Sequence, residues 1–365
     1  MPDYQTPKVS VVLGVRNEYP VILGTMMSVV EELEFWGYPW EIIVVDNLST
    51  DNTADILEDK FRRWVRHGLL KVIRWNDRPA NVTVRNVGAR KATGDVVFLG
   101  DGHLSIKIGT FHGMIQGWLK RGGLWHSAIH IWGDTSNIRC YGYDLKLEER
   151  FWGNLSRGIP DEVFEDPKKK TNPRPYRVPM ASHCCLMAGR EEYLDFRGYC
   201  ENFRCYGGGE PYLDLLWWIF GKEVWLYPQG LIRHAFGVNA RWETAPKDKK
   251  TRNKVHRRDG VQTQDLKEGD EYLRYSRGYN WTNEQFHYNF MLSAYCIGGY
   301  AWLRKRYEAY WEMRKGNSRY LEDLKQLRRE VLHEGAETRA FIESRQVMTL
   351  DDLLEKKPWE NFADL

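Results

Sequence analysis

The sequence predicts an α/β fold: a mostly parallel sheet flanked by helices, followed by a helical C-terminal extension. Three observations predict it. Strand and helix signals alternate strictly over the first hundred residues. The first two strand runs, 8–15 and 40–46, read as buried strands. Residues 284–345 carry helical signals only. The composition permits such a core. The chain has 365 residues, is 42% hydrophobic and carries a net charge of +3, so it is globular rather than disordered.

"KVSVVLGV" (8–15) is a short β-branched run and reads as a buried strand. "PVILGTMMSVVEELEFWG" (20–37) has helical spacing, with Pro20 near its start and Gly37 after its end. "WEIIVVD" (40–46) is the second strand. "DNTADILEDKFRRWVRHG" (51–68) is amphipathic, acidic early and basic late, as the helix dipole prefers. "LLKVIRW" (69–75) is the third strand, "TVRNVGARKATG" (83–94) a short helix, and "DVVFLGD" (95–101) the fourth strand. Residues 130–180 are irregular, and a strand–helix–strand signal returns over 183–236. An aromatic helix is expected at 284–314 and a charged one at 317–345, together resembling a mostly solvated hairpin. This divides the chain into 1–240, a basic loop or lid at 241–283, and a helical extension at 284–365.

"MPDYQTPK" lacks the basic-then-apolar pattern of a signal peptide, and "NFMLSAYCIGGYAWL" is too short to span a bilayer, carries a Gly pair and fits a packed helix better. The expected location is cytoplasmic. Six cysteines in this length do not make a disulfide scaffold. His183, Cys184, Cys185, Cys200 and Cys205 match no familiar zinc spacing, so buried reduced thiols are expected. The 16 Trp and 20 Tyr read first as a large aromatic core.

In sheets of this kind ligands bind beyond the carboxyl ends of the strands. Arg16, Asn17, Glu18, Asp46, Asn47, Asp101 and His103 all fall there. Residues i and i+2 of extended backbone point the same way, so Asp101 and His103 can address one ion. A carboxylate with an imidazole tilts the choice from magnesium towards manganese. Alone, the triplet reads better as a turn, with Asp101 capping, Gly102 at positive φ and His103 incidental. His234 alone reads as an ordinary half-buried histidine.

The triplet has company. "VSVVLGVRNE", "EIIVVDNLSTDNTADIL", "VRNVGARKATGDVVFLGDGH" and "YGGGEPYLDLLWWIFGKEVWLYPQGLIRHAFG" occur in this order. Together they resemble the nucleotide-sugar glycosyltransferases of the GT-A fold, family 2 in the broad sense. The Asp-x-His, Gly-Gly-Glu and His-x-Phe segments resemble polypeptide N-acetylgalactosaminyltransferases. The resemblance covers residues 8–240. It implies a Rossmann-like sheet and a UDP-sugar donor, hexosyl or N-acetylhexosaminyl. It implies a manganese or similar divalent ion held by Asp101, His103 and His234. It also implies a donor site formed by Val15, Glu18, Asp46, Arg85 and Asp101. Asp46 would accept the uracil N3–H, Arg85 would reach the base or phosphates, and Glu210 would meet sugar hydroxyls. Inverting relatives follow this glutamate with an aspartate base, and the retaining ones with Asn; here Pro211 follows. Retention is therefore expected, with the leaving phosphate taking the acceptor proton. Glu210 and Asp214 are the candidates for a relocated base.

The acceptor is least legible. A glycan, lipid-linked sugar or small molecule is expected. Two basic stretches, "DPKKKTNPRPYR" (166–177) and "KDKKTRNKVHRR" (247–258), read first as solvated loops. They also suit DNA, with transfer to a hydroxymethylated pyrimidine by a phage-encoded enzyme in its host's cytoplasm. A non-catalytic nucleotide-sugar or nucleic-acid binding module is the alternative of another class. The oligomeric state is not legible.

Overall fold

The computed structural model of the protein describes residues 6–77, 81–131, 139–145, 147, 153–154, 158–204, 207–235, 284–314 and 318–362. The first hundred residues alternate as expected: β1 (Val9–Val15), α1 (Val21–Phe35), β2 (Trp40–Asp46), α2 (Thr53–Lys60), α3 (Arg62–Arg66), β3 (Leu70–Arg74), α4 (Thr83–Lys91) and β4 (Val96–Asp101). The single helix expected over 51–68 is two. Phe61 leaves helical backbone at φ −104°, ψ 29°, which lets Trp64 stack on Phe61 and meet Trp40 edge-on.

These four strands run parallel in the order β3-β2-β1-β4. Then follow β5 (Leu104–Ile106), α5 (Thr110–Arg121), β6 (Leu124–Ile131), β7 (Arg139–Cys140), β8 (Asp144–Leu145), β9 (Gly153–Asn154), β10 (Phe164–Asp166), β11 (Thr171–Pro173) and β12 (Tyr176–Arg177). After them come β13 (Cys185–Gly189), α6 (Arg190–Asp195), α7 (Gly209–Ile219) and β14 (Val224–His234). The sheet continues β4-β13-β6-β14-β12, with β5 on β14 and β7 on β6, ten strands among the described residues. β13 is antiparallel to both neighbours, while β6 and β14 run with β1–β4, so the sheet is mixed but mostly parallel.

Alternation along β1 and β2 divides the core. Val9, Val11, Leu13, Ile42 and Val44 face one side with Ile22, Met26 and Leu33 of α1 and Phe111 and Met114 of α5. Val12, Ile43 and Val45 face the other with Val84 and Ala89 of α4 and Leu213, Leu216 and Trp217 of α7. Gly88 makes the α4 approach possible: a Cβ there would lie 2.2 Å from Val12 Cγ1.

The C-terminal chain forms α8 (Glu284–Arg314, kinked at Gly299), α9 (Ser318–Glu334), α10 (Ala336–Arg345) and α11 (Leu350–Lys356). Here the structure departs from the expected solvated hairpin. Tyr288, Phe290, Met291, Leu292, Ile297 and Leu303 of α8 are buried and join the cluster formed under α7. Helices on several sides cover α8, so its apolar residues do not gather into one stripe. Trp125, Trp217, Trp225 and Trp302 are fully buried, as the aromatic-core reading requires. Cys184, Cys185, Cys200 and Cys296 are buried free thiols and Cys140 is a half-buried one; Cys205 and the stretch 247–258 lie outside the described residues. Among the described residues no helix is long and apolar enough to cross a membrane.

Candidate active site

β4 ends at Asp101, and the chain turns through Gly102 into β5, which pairs antiparallel with the end of β14. That pairing sets His234 opposite Leu104, and Ala235 N donates to His103 O at 3.2 Å. Three side chains converge as a result. His234 Nε2 stands 3.1 Å from Asp101 Oδ2 and 3.1 Å from His103 Nε2. Gly102 does not adopt the positive φ of the turn-cap reading. Its missing side chain serves packing instead: a Cβ would lie 2.9 Å from Val15 Cγ1 and 2.9 Å from Glu18 Cγ. Glu18 faces His103, both carboxylate oxygens lying 3.0 Å from Nδ1. In the neutral imidazole, a proton held at Nδ1 leaves the Nε2 lone pair facing His234.

Charge in the cluster is balanced from behind. Arg85, 2% exposed, donates from Nη2 to Asp101 Oδ1 at 2.6 Å and from Nη1 to His183 O at 2.6 Å. Burial works against the ionised Asp101, but the Arg85 charge and the His234 contact outweigh it and hold the carboxyl well below its usual range. Burial also works against a charged His103, yet Glu18 and Asp101 push it up to about 9. Burial dominates at His234 and lowers it. Cys184 reaches the same point: one ligand atom each from Asp101, Cys184 and His234 lies within 4.8 Å of the others. Burial pushes its thiol well up, which favours the protonated form.

A second cluster lies deeper. Asp214 of α7 is fully buried. Its Oδ1 accepts from His183 Nε2 at 2.9 Å and His126 Nε2 at 3.2 Å, and its Oδ2 from Ala181 N at 2.8 Å. His183 Nδ1 meets Tyr199 OH at 2.8 Å, and Arg85 Nη1 reaches the same hydroxyl at 3.4 Å. A hydrogen-bonded path thus runs from Asp214 to Asp101. Asp214 is enclosed by these partners. Glu210 differs. It stands in the first turn of α7, half-buried, and burial raises its carboxyl although His183 and Arg85 oppose the shift.

Asp46 ends β2, which lies between β1 and β3 in the sheet order, and its Oδ1 accepts from Ser49 N at 2.9 Å. The loops after β1 and β2 are cross-tied: Asn17 N donates to Ser49 Oγ at 2.9 Å, Thr50 N to Asn17 Oδ1 at 2.7 Å, and Glu18 N to Thr53 Oγ1 at 3.2 Å. The structure therefore brings Glu18, Arg85, Asp101, His103 and His234 into one contact network. Val15 is buried beneath Gly102, Asp46 lies on a neighbouring strand end, and Glu210 and Asp214 arrive on α7. Arg85 faces into the protein, engaged by Asp101, His183 and Tyr199, rather than extending towards a base. Sequence reasoning missed His126, His183 and Tyr199 as a supporting set. The polar run "SHCC" before a buried strand was the available signal. The 166–177 stretch divides: Lys168, Lys169 and Lys170 are exposed between β10 and β11, whereas Arg177 is buried and paired with Glu223 at 2.8 Å.

The mixed sheet, with a carboxylate–histidine pair at the end of its fourth strand, is the GT-A fold of the glycosyltransferases. Residues 10–188 match the model of glycosyl transferase family 2. Its relatives are N-acetylgalactosaminyltransferases. N-acetylgalactosaminyltransferase 7 of Drosophila melanogaster is 25% identical over 239 residues, covering 64% of this chain and 40% of that protein. Human polypeptide N-acetylgalactosaminyltransferase 3 is 24% identical over 249 residues, covering 63% and 37%. The crystal structure of GalNAc-T7 with UDP, GalNAc and Mn2+ superposes with a TM-score of 0.61 at 19% identity, covering 90% of this chain and 56% of that one. The chain thus spans about two fifths of the length of these curated relatives, 40% and 37%.

Proposed function

We propose that the protein is a metal-dependent glycosyltransferase that moves a hexosyl or N-acetylhexosaminyl group from a UDP-sugar to an acceptor hydroxyl. The observation that carries this reading is the convergence of Asp101, His103 and His234 at the strand ends, with Glu18 behind His103. A carboxylate oxygen and two imidazole nitrogens facing one another at 3.1 Å suit a manganese-like cation better than magnesium. In this reading Asp101, His103 and His234 hold the cation, which lends Lewis acidity to the departing diphosphate. Glu18 fixes the proton on His103 Nδ1, and Arg85 keeps Asp101 ionised. The Asp46 carboxylate accepts the uracil N3–H, and Glu210 accepts from sugar hydroxyls.

The aspartate base of inverting relatives is replaced by Pro211. Asp214 is fully buried and fully bonded. Both facts support retention, with the leaving phosphate taking the acceptor proton. The acceptor in this reading is a glycan, lipid-linked sugar or small molecule, and the location cytoplasmic. The DNA reading has less support: of the exposed lysines, Lys169 and Lys170 already pair with Asp166 and Asp161. Residues 1–240 act as the transferase unit and 284–365 as its buttress.

The test is UDP-sugar hydrolysis with manganese across a donor panel. Turnover that stops with chelator and returns with added Mn2+ is expected. Undiminished turnover in verified metal-free protein overturns the metal assignment, and an inverted anomeric product by NMR overturns retention. Duplex DNA binding at low salt, lost on neutralising Lys168–Lys170, would revive the DNA acceptor.

A further inference from the structure

Helix α8 lies outside the matched family 2 stretch, yet it holds the glycine loop that precedes Glu210. Asn289 Nδ2 donates to Gly207 O at 3.1 Å and also to Arg204 O, while Asn289 Oδ1 accepts from Arg204 N at 2.8 Å. Ser293 Oγ stands 2.8 Å from Gly208 O and 2.9 Å from Asn289 O, so one hydroxyl proton lies between two carbonyls. Asn289 and Ser293 are both fully buried. The start of the loop is fixed from α9: Arg204 donates to Glu330 and Glu334, each at 2.9 Å, and lies over the Tyr288 ring.

The glycines are required for this contact. Gly207 and Gly208 have φ of +96° and +76°. A Cβ at Gly207 would lie 2.7 Å from the Phe286 ring, and one at Gly208 would lie 2.8 Å from Asn289 O. Only glycine combines that backbone with that approach. Gly208 is also the N-cap of α7, and its carbonyl accepts from Tyr212 N at 3.3 Å. The direction of that one peptide therefore sets the first helical turn, where Glu210 stands.

We propose that Asn289 and Ser293 are positioning residues for the transfer: they orient the Gly208 peptide, and through it the Glu210 carboxyl, against the donor sugar. The proposal rests on the role given to Glu210 above. Displacing a reacting group's partner by a fraction of an ångström lowers turnover without removing the binding site.

The experiment compares Mn2+-dependent UDP-sugar hydrolysis in Ser293→Ala, Ser293→Thr, Gly208→Ala and Glu210→Gln, with melting temperature and UDP affinity measured on each. Ser293→Ala is expected to lower kcat about tenfold with UDP affinity held within about twofold. Ser293→Thr keeps the hydroxyl and is expected to retain most of kcat. Gly208→Ala forces the loop off α8 from the other side and is expected to show the same split between kcat and affinity. A fully active Ser293→Ala beside an inactive Glu210→Gln overturns this proposal alone. Loss of kcat in Ser293→Ala only in step with melting temperature and UDP affinity also overturns it. A fully active Glu210→Gln overturns the role of Glu210 and this proposal with it.

Discussion

Glu18→Gln removes a charge from behind His103 while keeping the side chain's shape. Both Glu18 oxygens lie 3.0 Å from Nδ1, so the carboxylate belongs to the imidazole rather than to the ion. Adding the ring and a metal–nitrogen bond puts the carboxylate roughly 7 Å from a divalent cation on Nε2. At that distance a unit negative charge and a 2+ ion attract by about 2.4 kcal/mol at an effective dielectric of about 40, and about 1.2 kcal/mol at 80. Glu18 and His103 are 14% and 21% exposed, which places the site between those limits. The substitution is therefore expected to weaken Mn2+ binding to the neutral His103 imidazole, after correction for proton competition at His103, by about 10- to 50-fold, in the range seen for outer partners of metal ligands. The assay is titration of Mn2+ into apo-protein, following the free-ion signal by electron paramagnetic resonance, with UDP present and absent. Fold should be unaffected, which a thermal melt checks. An unchanged Mn2+ affinity in Glu18→Gln would refute the assignment of His103 as a ligand oriented by Glu18.

Three further outcomes are expected. Asp214→Ala leaves the donors of His126, His183 and Ala181 without their acceptor, at about 1–3 kcal/mol each when buried. It should lose at least about 3 kcal/mol of stability in urea, whereas a stable but inactive variant would restore Asp214 as a base. Burial works against the ionised Glu41, but Lys71, Ser10 and Thr93 outweigh it and lower its carboxyl from 4.5 to about 2. A depressed carboxyl stabilises above its unfolded value and loses that contribution as pH falls, here between about 5 and about 2 and by about 3 kcal/mol in all. Wild type minus Glu41→Gln should therefore shrink by about 2 kcal/mol between pH 5 and pH 3, and a constant difference would sink the reasoning. Gly88→Ala gains about 1 kcal/mol in helix propensity, but its methyl would lie 2.2 Å from Val12. Overpacking of about 1–3 kcal/mol should dominate and lower the melting temperature; a higher one would show that α4 shifts freely on β1.

In the parallel half of the sheet β1, β2 and β4 were legible because they are buried along nearly their whole length and read as largely apolar runs, whereas the edge strand β3 is only partly buried. β13 was harder to place. Its composition shows that Cys185–Gly189 is buried, but not that it enters antiparallel between β4 and β6. Strand order depends on contacts far apart in the chain. At the site, Asp101, His103 and His234 were found through spacing and resemblance, and the structure brings them together. Arg85 was expected at the donor's base or phosphates, and the structure sets it against Asp101. A one-dimensional pattern shows that α4 carries an arginine, but not that Tyr199 and the His183 carbonyl wait for it inside. The stretch 289–303 of α8 was legible as a packed helix, but the C-terminal pair as a whole was read as a mostly solvated hairpin, because being covered on several sides erases the amphipathic stripe that sequence reading relies on.

The clamp on the glycine loop also bears on the order of synthesis. Asn289 and Ser293 lie 82 and 85 residues downstream of Gly207 and Gly208. The ribosome delivers the loop long before it delivers its holders. During translation β1–β4 and their helices can assemble from local βα units, while the loop before Glu210 waits for α8. In a nascent chain the sheet could then be in place before the first turn of α7 is held.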